Sequence, residues 1–499
     1  MVDLLPPSLR AALPGAERAS PSPVPFRLVS NGEHSPQPQS VALAEAAARL
    51  AERAGASAKR LGQTTADFLR GPQGFAGAFA AMNEAFGEAF RVGAVELDDP
   101  DAAEARADGL RGQFVFDDQV HFLREDADPV LFEPLTGMIG IAADLLDLPR
   151  GADTDLERIR FAHFLKEVYL DSDTKVSLLS GAPAENPDGA MLTNDMMIAA
   201  REAVNTAVGG RRLLSHCVIA PGHPGWLEEI DRVHADLKPD GWKGYSVGEP
   251  FGPAKLRYRL DDEAVMYPAY DRLVRAGVRQ LCIHKGILPE GHEDFMPGAL
   301  PYADVSDVGP AARDWPELNF VIYHAGFKTV PQPTEAELAR FEATGHIDWV
   351  TQLARVPEEY GVTNVFADIA ASFAFTVLTH PRLCAGMIGT LRAGLGDAHV
   401  FWGTDSVWYG SPQWQIEAFR RLEMPEDLGE RFGWTPLGGP TDAFKASVLG
   451  LNAVPFYGLD PKDYARGAEL DDLAVIQADY LARGGQRSNL AFGYDARSE

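Results

Sequence analysis

Between residues 113 and 406 one pattern recurs eight times: a short apolar run, then a more polar stretch compatible with helix. The runs are QFVFDDQ (113–119), KVSLLSG (175–181), RLLSHCVIAP (212–221), GWKGYSV (241–247), RQLCIHKG (279–286), NFVIYHAG (319–326), TNVFADIA (363–370) and HVFWGTDS (399–406). Their length and their β-branched and aromatic content fit strands buried on both faces. Intervening segments such as GWLEEIDRVHADL, DEAVMYPAYDRLVRAG and HIDWVTQLARVPEEYG carry apolar residues at helical spacing. No glycine-rich dinucleotide fingerprint opens any of these units. The alternation predicts an α/β chain folded as a (β/α)8 TIM-type barrel, with a doubly wound open sheet as the competing topology.

The flanks read differently. Residues 1–40 are rich in Pro, Ser and Gly and are expected to be extended. From 41 to 95 the chain is Ala-rich with helical periodicity (VALAEAAARLAERAGASAKRLG, FAGAFAAMNEAFGEAF). The expected division is 1–110, an extended arm and helical N-terminal region, and 111–499, the barrel with C-terminal helices. The N-terminal helices suit a packing or dimer arm better than a cover over an active site. A formal charge of −27 argues against nonspecific binding to nucleic acid or to an anionic membrane surface. Three cysteines with no CxxC pair fit a reducing compartment. With no signal-peptide pattern and no bilayer-length apolar run, the expectation is a cytoplasmic protein.

In a (β/α)8 barrel the chemistry sits at the C-terminal ends of the strands. The first run leads into Gln119 and His121, the third carries His216, the fourth Lys243, the fifth His284, the sixth His324, the seventh Asp368 and the eighth Asp405. A lone strand histidine is usually a hydrogen-bonded core residue. Here, however, CIHKG, IYHAG and WGTDS each place a metal-competent side chain between an apolar run and a turn. His121, His284 and Asp405 have the ligand chemistry of a divalent metal site with a position left open for water.

At these residues the chain resembles the amidohydrolase superfamily, and within it the group that includes aminocarboxymuconate-semialdehyde decarboxylase. The segments that match are DDQVHF, CIHKG, YHAG and GTDSVW, in the family's order, followed by a closing-helix resemblance in FKASVLGLNAVPFYGLD (444–460). The resemblance implies a divalent metal ion per chain, zinc first and manganese as the alternative. His121, His284 and Asp405 would be its ligands, and Asp405 and His324 the catalytic groups. It also implies a homo-oligomer, a dimer.

Gln119 departs from the family pattern, which has His or Glu there. It either ligates the metal through its amide oxygen, or holds a water from the second layer, or marks a site that has lost its metal. Lys243 is expected to orient a substrate anion rather than bridge two metals. Trp408 and Tyr409, after Asp405, offer aromatic walls for a planar substrate. The reading is a metal-dependent hydrolase acting on a small organic, aromatic in one version, substrate. A metal-dependent decarboxylase of a carboxylated aromatic or unsaturated acid is the alternative, and a metal-free binding or scaffold barrel the third.

Overall fold

The computed structural model describes residues 22–26, 40–127, 159–184, 186–249, 256–289, 292–330, 333–408, 410–464 and 472–485. Eight strands form one parallel sheet in strict chain order: β1 (Phe116–Val120), β2 (Val176–Leu179), β3 (Leu213–Val218), β4 (Gly241–Tyr245), β5 (Gln280–His284), β6 (Asn319–Tyr323), β7 (Val365–Asp368) and β8 (Val400–Phe401). Every neighbouring pair is parallel. The ring closes between β1 and the segment after β8. Asp118 N–H donates to the Trp402 carbonyl at 3.0 Å, Asp405 N–H to Gln119 at 2.9 Å and His121 N–H to Ser406 at 2.6 Å. This is the (β/α)8 barrel expected from the alternation, and an open doubly wound sheet is ruled out by that closure.

Helices lie outside the ring where the spacing predicts them, among them α1 (Val41–Leu61), α2 (Thr65–Arg70), α3 (Pro72–Phe86), α4 (Pro100–Leu110), α5 (Asn194–Val208), α6 (Tyr267–Ala276), α7 (Val350–Tyr360), α8 (Ala370–Thr379), α9 (Pro381–Leu395) and α10 (Gln413–Arg421). Their apolar faces cover strands that are buried on both sides, as an all-parallel sheet demands. At the N-terminal end of the ring, Phe116, Tyr457, Phe401 and Phe456 form an aromatic plug. Phe456 and Tyr457 come from the closing segment read at 444–460, which is broken into short helical pieces instead of one helix. Among the described residues no helix is long and apolar enough to cross a membrane.

The N-terminal helices are tied to the barrel by buried charge. Arg420 on α10 is fully buried and donates to Asp173 at 2.7 Å, Glu417 at 3.0 Å, Gln113 at 2.9 Å and the Leu110 carbonyl at 3.1 Å. Glu417 also meets Arg106 of α4 at 2.8 Å and Arg421 at 3.3 Å. Burial alone would push its carboxyl up, but Arg106, Arg421 and Arg420 outweigh it and hold the pKa down at about 2, against an ordinary 4.5. A depressed carboxyl contributes its stability above the unfolded value and loses it as pH falls. The urea midpoint is therefore expected to fall between pH 4.5 and about 2, with Glu417→Gln flattening that limb by close to one proton.

Candidate active site

A register shift between Asp117 and Val120 breaks the regular alternation of β1, so Asp118, Gln119 and His121 do not follow a simple in-out pattern. Asp117 latches this turn to the far side of the barrel, its carboxylate accepting from the Thr404 backbone and hydroxyl and from the Gln119 N–H. Asp405 sits four residues past the two-residue strand β8, with a positive φ of 59°. His324 just after β6 also has positive φ, 61°. Outside glycine such backbone is uncommon and costs roughly 1–3 kcal/mol where it is strained; Lys238, Ile287, Ala325 and Trp349 share it.

Gln119, His121 and Asp405 come together as a triangle. His121 Nε2 lies 3.0 Å from Asp405 Oδ1, and the Gln119 amide nitrogen is 3.0 Å from that oxygen and 3.3 Å from the histidine nitrogen. All three side chains are buried. The imidazole tautomer follows from its other nitrogen. Nδ1 is 2.8 Å from the Ser180 carbonyl, which only accepts, so Nδ1 carries a hydrogen, and Nε2 faces Asp405 Oδ1 across 3.0 Å, a contact that a proton or a cation must bridge. The Gln119 amide donates to that same oxygen. Its own Oε1 and Asp405 Oδ2 are buried with no hydrogen-bond partner among the described residues.

The fifth and sixth strand ends form a separate pair. His324 Nε2 and His284 Nδ1 are 3.1 Å apart, and the Ala371 N–H, at the start of α8, reaches His324 Nδ1 at 3.3 Å. Burial first, then neighbouring positive groups including Lys243, hold both rings well below the ordinary histidine range, so both are neutral. In a neutral His324 whose Nδ1 accepts, Nε2 must carry the hydrogen. That hydrogen points at His284 Nδ1, which leaves the proton of His284 on Nε2. The opposite tautomers would set the Ala371 N–H against a second N–H, at a cost of about 1–3 kcal/mol. Tyr245 stacks on His284 at 4.7 Å and 14°, fixing the ring plane.

Of the remaining expected residues, Lys243 is fully buried below the mouth, with Nζ 3.6 Å from the Tyr323 ring centroid. Trp408 stacks against His121 at 5.9 Å and 29°. Tyr409 lies outside the described residues. His216 is an interior residue, its Nδ1 3.2 Å from the Ser180 hydroxyl. Beside Tyr245 lies a shallow surface depression lined by Pro183, Ile219, Pro221, Leu256 and Tyr258, with His223 and Glu249 as its charged or titratable members. Among the described residues no three His, Cys, Asp or Glu side chains converge as metal ligands. The His121–Asp405 pair takes its third polar partner from an amide, and His284 belongs to the other pair.

Two features escaped the sequence reading. Ser180, at the end of β2, joins His121 through its carbonyl to His216 through its hydroxyl. Asp118 and Asp368 face each other within the ring. Burial and the opposed Asp368 charge push Asp118 well up, so it is the member that keeps a proton. Burial lifts Asp368 to about 7, against the Asp118 side chain and the N–H groups of Ala370 and His324. A Cβ on Gly403 would lie 2.4 Å from Asp368 and 2.8 Å from Asp118, so only glycine leaves room for the pair there. Asp368 stood out in the sequence as the polar residue of the seventh run, but nothing there paired it with Asp118.

A closed parallel barrel with titratable side chains gathered past the C-terminal strand ends has the architecture of a (β/α)8 enzyme. A family model described as amidohydrolase matches residues 181–459. The chain belongs to the amidohydrolase family, the superfamily that the strand-end motifs resemble. The matched stretch begins after β2, so Gln119 and His121 lie ahead of it.

Solved structures are similar at low identity. A 5-carboxyvanillate decarboxylase from Novosphingobium aromaticivorans, determined with bound manganese, is 16% identical over 70% of this chain and 99% of its own, with a TM-score of 0.41. The 5-carboxyvanillate decarboxylase of Sphingomonas paucimobilis is 17% identical over 70% and 100%, TM-score 0.42. A 2,6-dihydroxybenzoate decarboxylase from Rhizobium is 14% identical over 70% and 99%, TM-score 0.39. No curated protein matches.

Proposed function

We propose that this protein is a metal-dependent hydrolase of a small organic substrate, with the ion held by His121, Asp405 and Gln119. The observation that carries the reading is the triangle. An imidazole nitrogen, a carboxylate and an amide lie within 3.3 Å of one another, and two buried oxygens there, Gln119 Oε1 and Asp405 Oδ2, have no donor. Unpaired buried acceptors are costly, and a cation is the partner that satisfies oxygen and imidazole nitrogen together. A half-turn of the Gln119 amide exchanges its N–H2 group for that free oxygen, so glutamine serves the apo protein as a donor and the loaded one as a ligand. When bound, a divalent ion acidifies water and polarises a carbonyl oxygen.

The chain's own residues do the rest. Asp405, through its free Oδ2, takes a proton from the attacking water and returns it to the leaving group. The Ser180 carbonyl keeps His121 Nε2 turned toward Asp405. Trp408 and Tyr245 supply flat apolar walls suited to a planar substrate, and Lys243 supplies positive charge from beneath.

Titration of the metal-stripped chain with Zn²⁺ and Mn²⁺ tests the site. About one ion per chain is expected, with affinity lowered at least about 100-fold in His121→Ala and Asp405→Ala. No binding by the native chain at micromolar metal overturns the reading. The loaded protein should then cleave esters, lactones or amides in a screen. Release of CO₂ from carboxylated phenols without any hydrolysis would make it a decarboxylase instead.

A further inference from the structure

We propose that the cleft between the N-terminal helices and α10 is a second binding site, separate from the barrel mouth, for a small zwitterion: an amino acid with an apolar or aromatic side chain. The inference is independent of the reaction at the mouth.

The cleft has a volume of about 490 Å³, in the range of small-molecule sites. Its walls come from the end of α2 and the start of α3, from α4, from α10 and from α11 (Asp472–Ala482). Arg111 and Asp173 on its wall lead into β1 and β2, so the cleft lies toward the end of the barrel opposite the mouth. Phe75 and Leu481 give it an apolar side. Gln413, Glu417 and Arg421, on one face of α10, make a floor of buried polar groups.

The hydrogen-bonding capacity left open there is sorted by sign. Glu417 has both oxygens committed, one to Arg420 and the other to Arg106 and Arg421. Arg421 is spent on Glu417, Glu96 and the Arg91 carbonyl. Arg106 is not. Its Nη1 donates to Glu417 at 2.8 Å, its Nε stands 3.7 Å from Glu96, too far for a hydrogen bond, and its Nη2 has no partner among the described residues. Most of its N–H donors are therefore open to the two oxygens of a carboxylate. The rim carries both signs, Arg70 and Arg111 with Asp67 and Glu104. Glu104 meets only Arg111, at 3.7 Å, and Asp67 spends Oδ2 on Thr64 while Oδ1 makes no hydrogen bond among the described residues. A simple anion would face four lining carboxylates, Asp67, Glu104, Asp173 and Glu417, in a chain of net charge −27, with nothing of its own to balance them. An amino acid brings its carboxylate to Arg106, its ammonium group to the acids of the rim and its side chain to Phe75 and Leu481.

Isothermal titration calorimetry on the full-length chain tests the site, with L-phenylalanine and L-leucine as probes. Phenylpropanoate keeps the carboxylate and lacks the ammonium group, phenethylamine does the reverse, and inorganic phosphate is an anion alone. One site per chain is expected for at least one of the amino acids, with Kd below about 1 mM and each of the other probes weaker by about tenfold or more. Arg106→Lys keeps a positive charge opposite Glu417 but loses the guanidinium fork, and it should weaken the amino acid by about tenfold. Glu104→Gln, at a side chain 54% exposed, should do the same with the urea midpoint of the parent. His121→Ala should bind the amino acid as the parent does, which separates the cleft from the mouth. The proposal is overturned if neither amino acid binds at about 10 mM, if phosphate or phenylpropanoate binds as tightly as the amino acid, or if affinity is lost in His121→Ala and kept in both Arg106→Lys and Glu104→Gln.

Discussion

Asparagine in place of Asp405 is expected to lower kcat/KM by about 10³-fold or more, with the folded chain intact. Asparagine is nearly isosteric with aspartate and is among the few residues that tolerate left-handed backbone, so the φ of 59° at this position is kept. What disappears is the base. An amide cannot take a proton from water. Steady-state rates on the best substrate of the hydrolytic screen, with thermal unfolding as a control, give the answer. A variant that unfolds like the parent, still binds one zinc ion per chain and has lost its turnover supports Asp405 as the proton-transfer group. One that keeps its turnover removes Asp405 from the chemistry.

A comparably large effect on stability is expected from Arg420→Met. Methionine fills much of the arginine's volume, so the packing loss is small, but the carboxylates of Asp173 and Glu417 then lose a buried partner. Removing one member of a buried ion pair typically costs about 3–5 kcal/mol, because the remaining charge stays out of water. The same side chain holds Gln113 and the end of α4, so the loss should loosen the N-terminal helices from the barrel. Urea unfolding of the variant measures it. Arg431→Met serves as the control: its side chain is 43% exposed, and a change within about 0.5 kcal/mol is expected. Equal small losses in both would mean that the buried network contributes little beyond its packing.

Much of the architecture was legible from local pattern. Each of the eight apolar runs contains a strand, because composition and length act within a few residues of the chain. The boundaries were less so: HVFWGTDS yields only the two-residue strand Val400–Phe401, since pairing with β7 ends at Asp368 and the chain then turns to close the ring. The strand-end histidines and Asp405 were visible for the same local reason as the strands. Their partners were not. Asp405 meets His121 across 284 residues only because the segment after β8 bonds to β1 through Asp118, Gln119 and His121. The facing pair Asp118 and Asp368 needs the same closure together with the bare Cα of Gly403.

The sequence by itself determined the order of strands, the parallel barrel that follows from it, and which side chains stand at the strand ends. These are consequences of periodicity and residue type along the chain. Only the tertiary structure decided what each of those side chains presents to the site. Gln119 could be donor or acceptor, and an imidazole nitrogen can be either a lone pair or an N–H. Which one it is depends on the group it faces: the Ser180 carbonyl for His121 Nδ1, and the Ala371 N–H acting through His324 for His284. Those groups are far away in sequence and within hydrogen-bond reach in space, so the chemistry of the site is set by closure of the barrel.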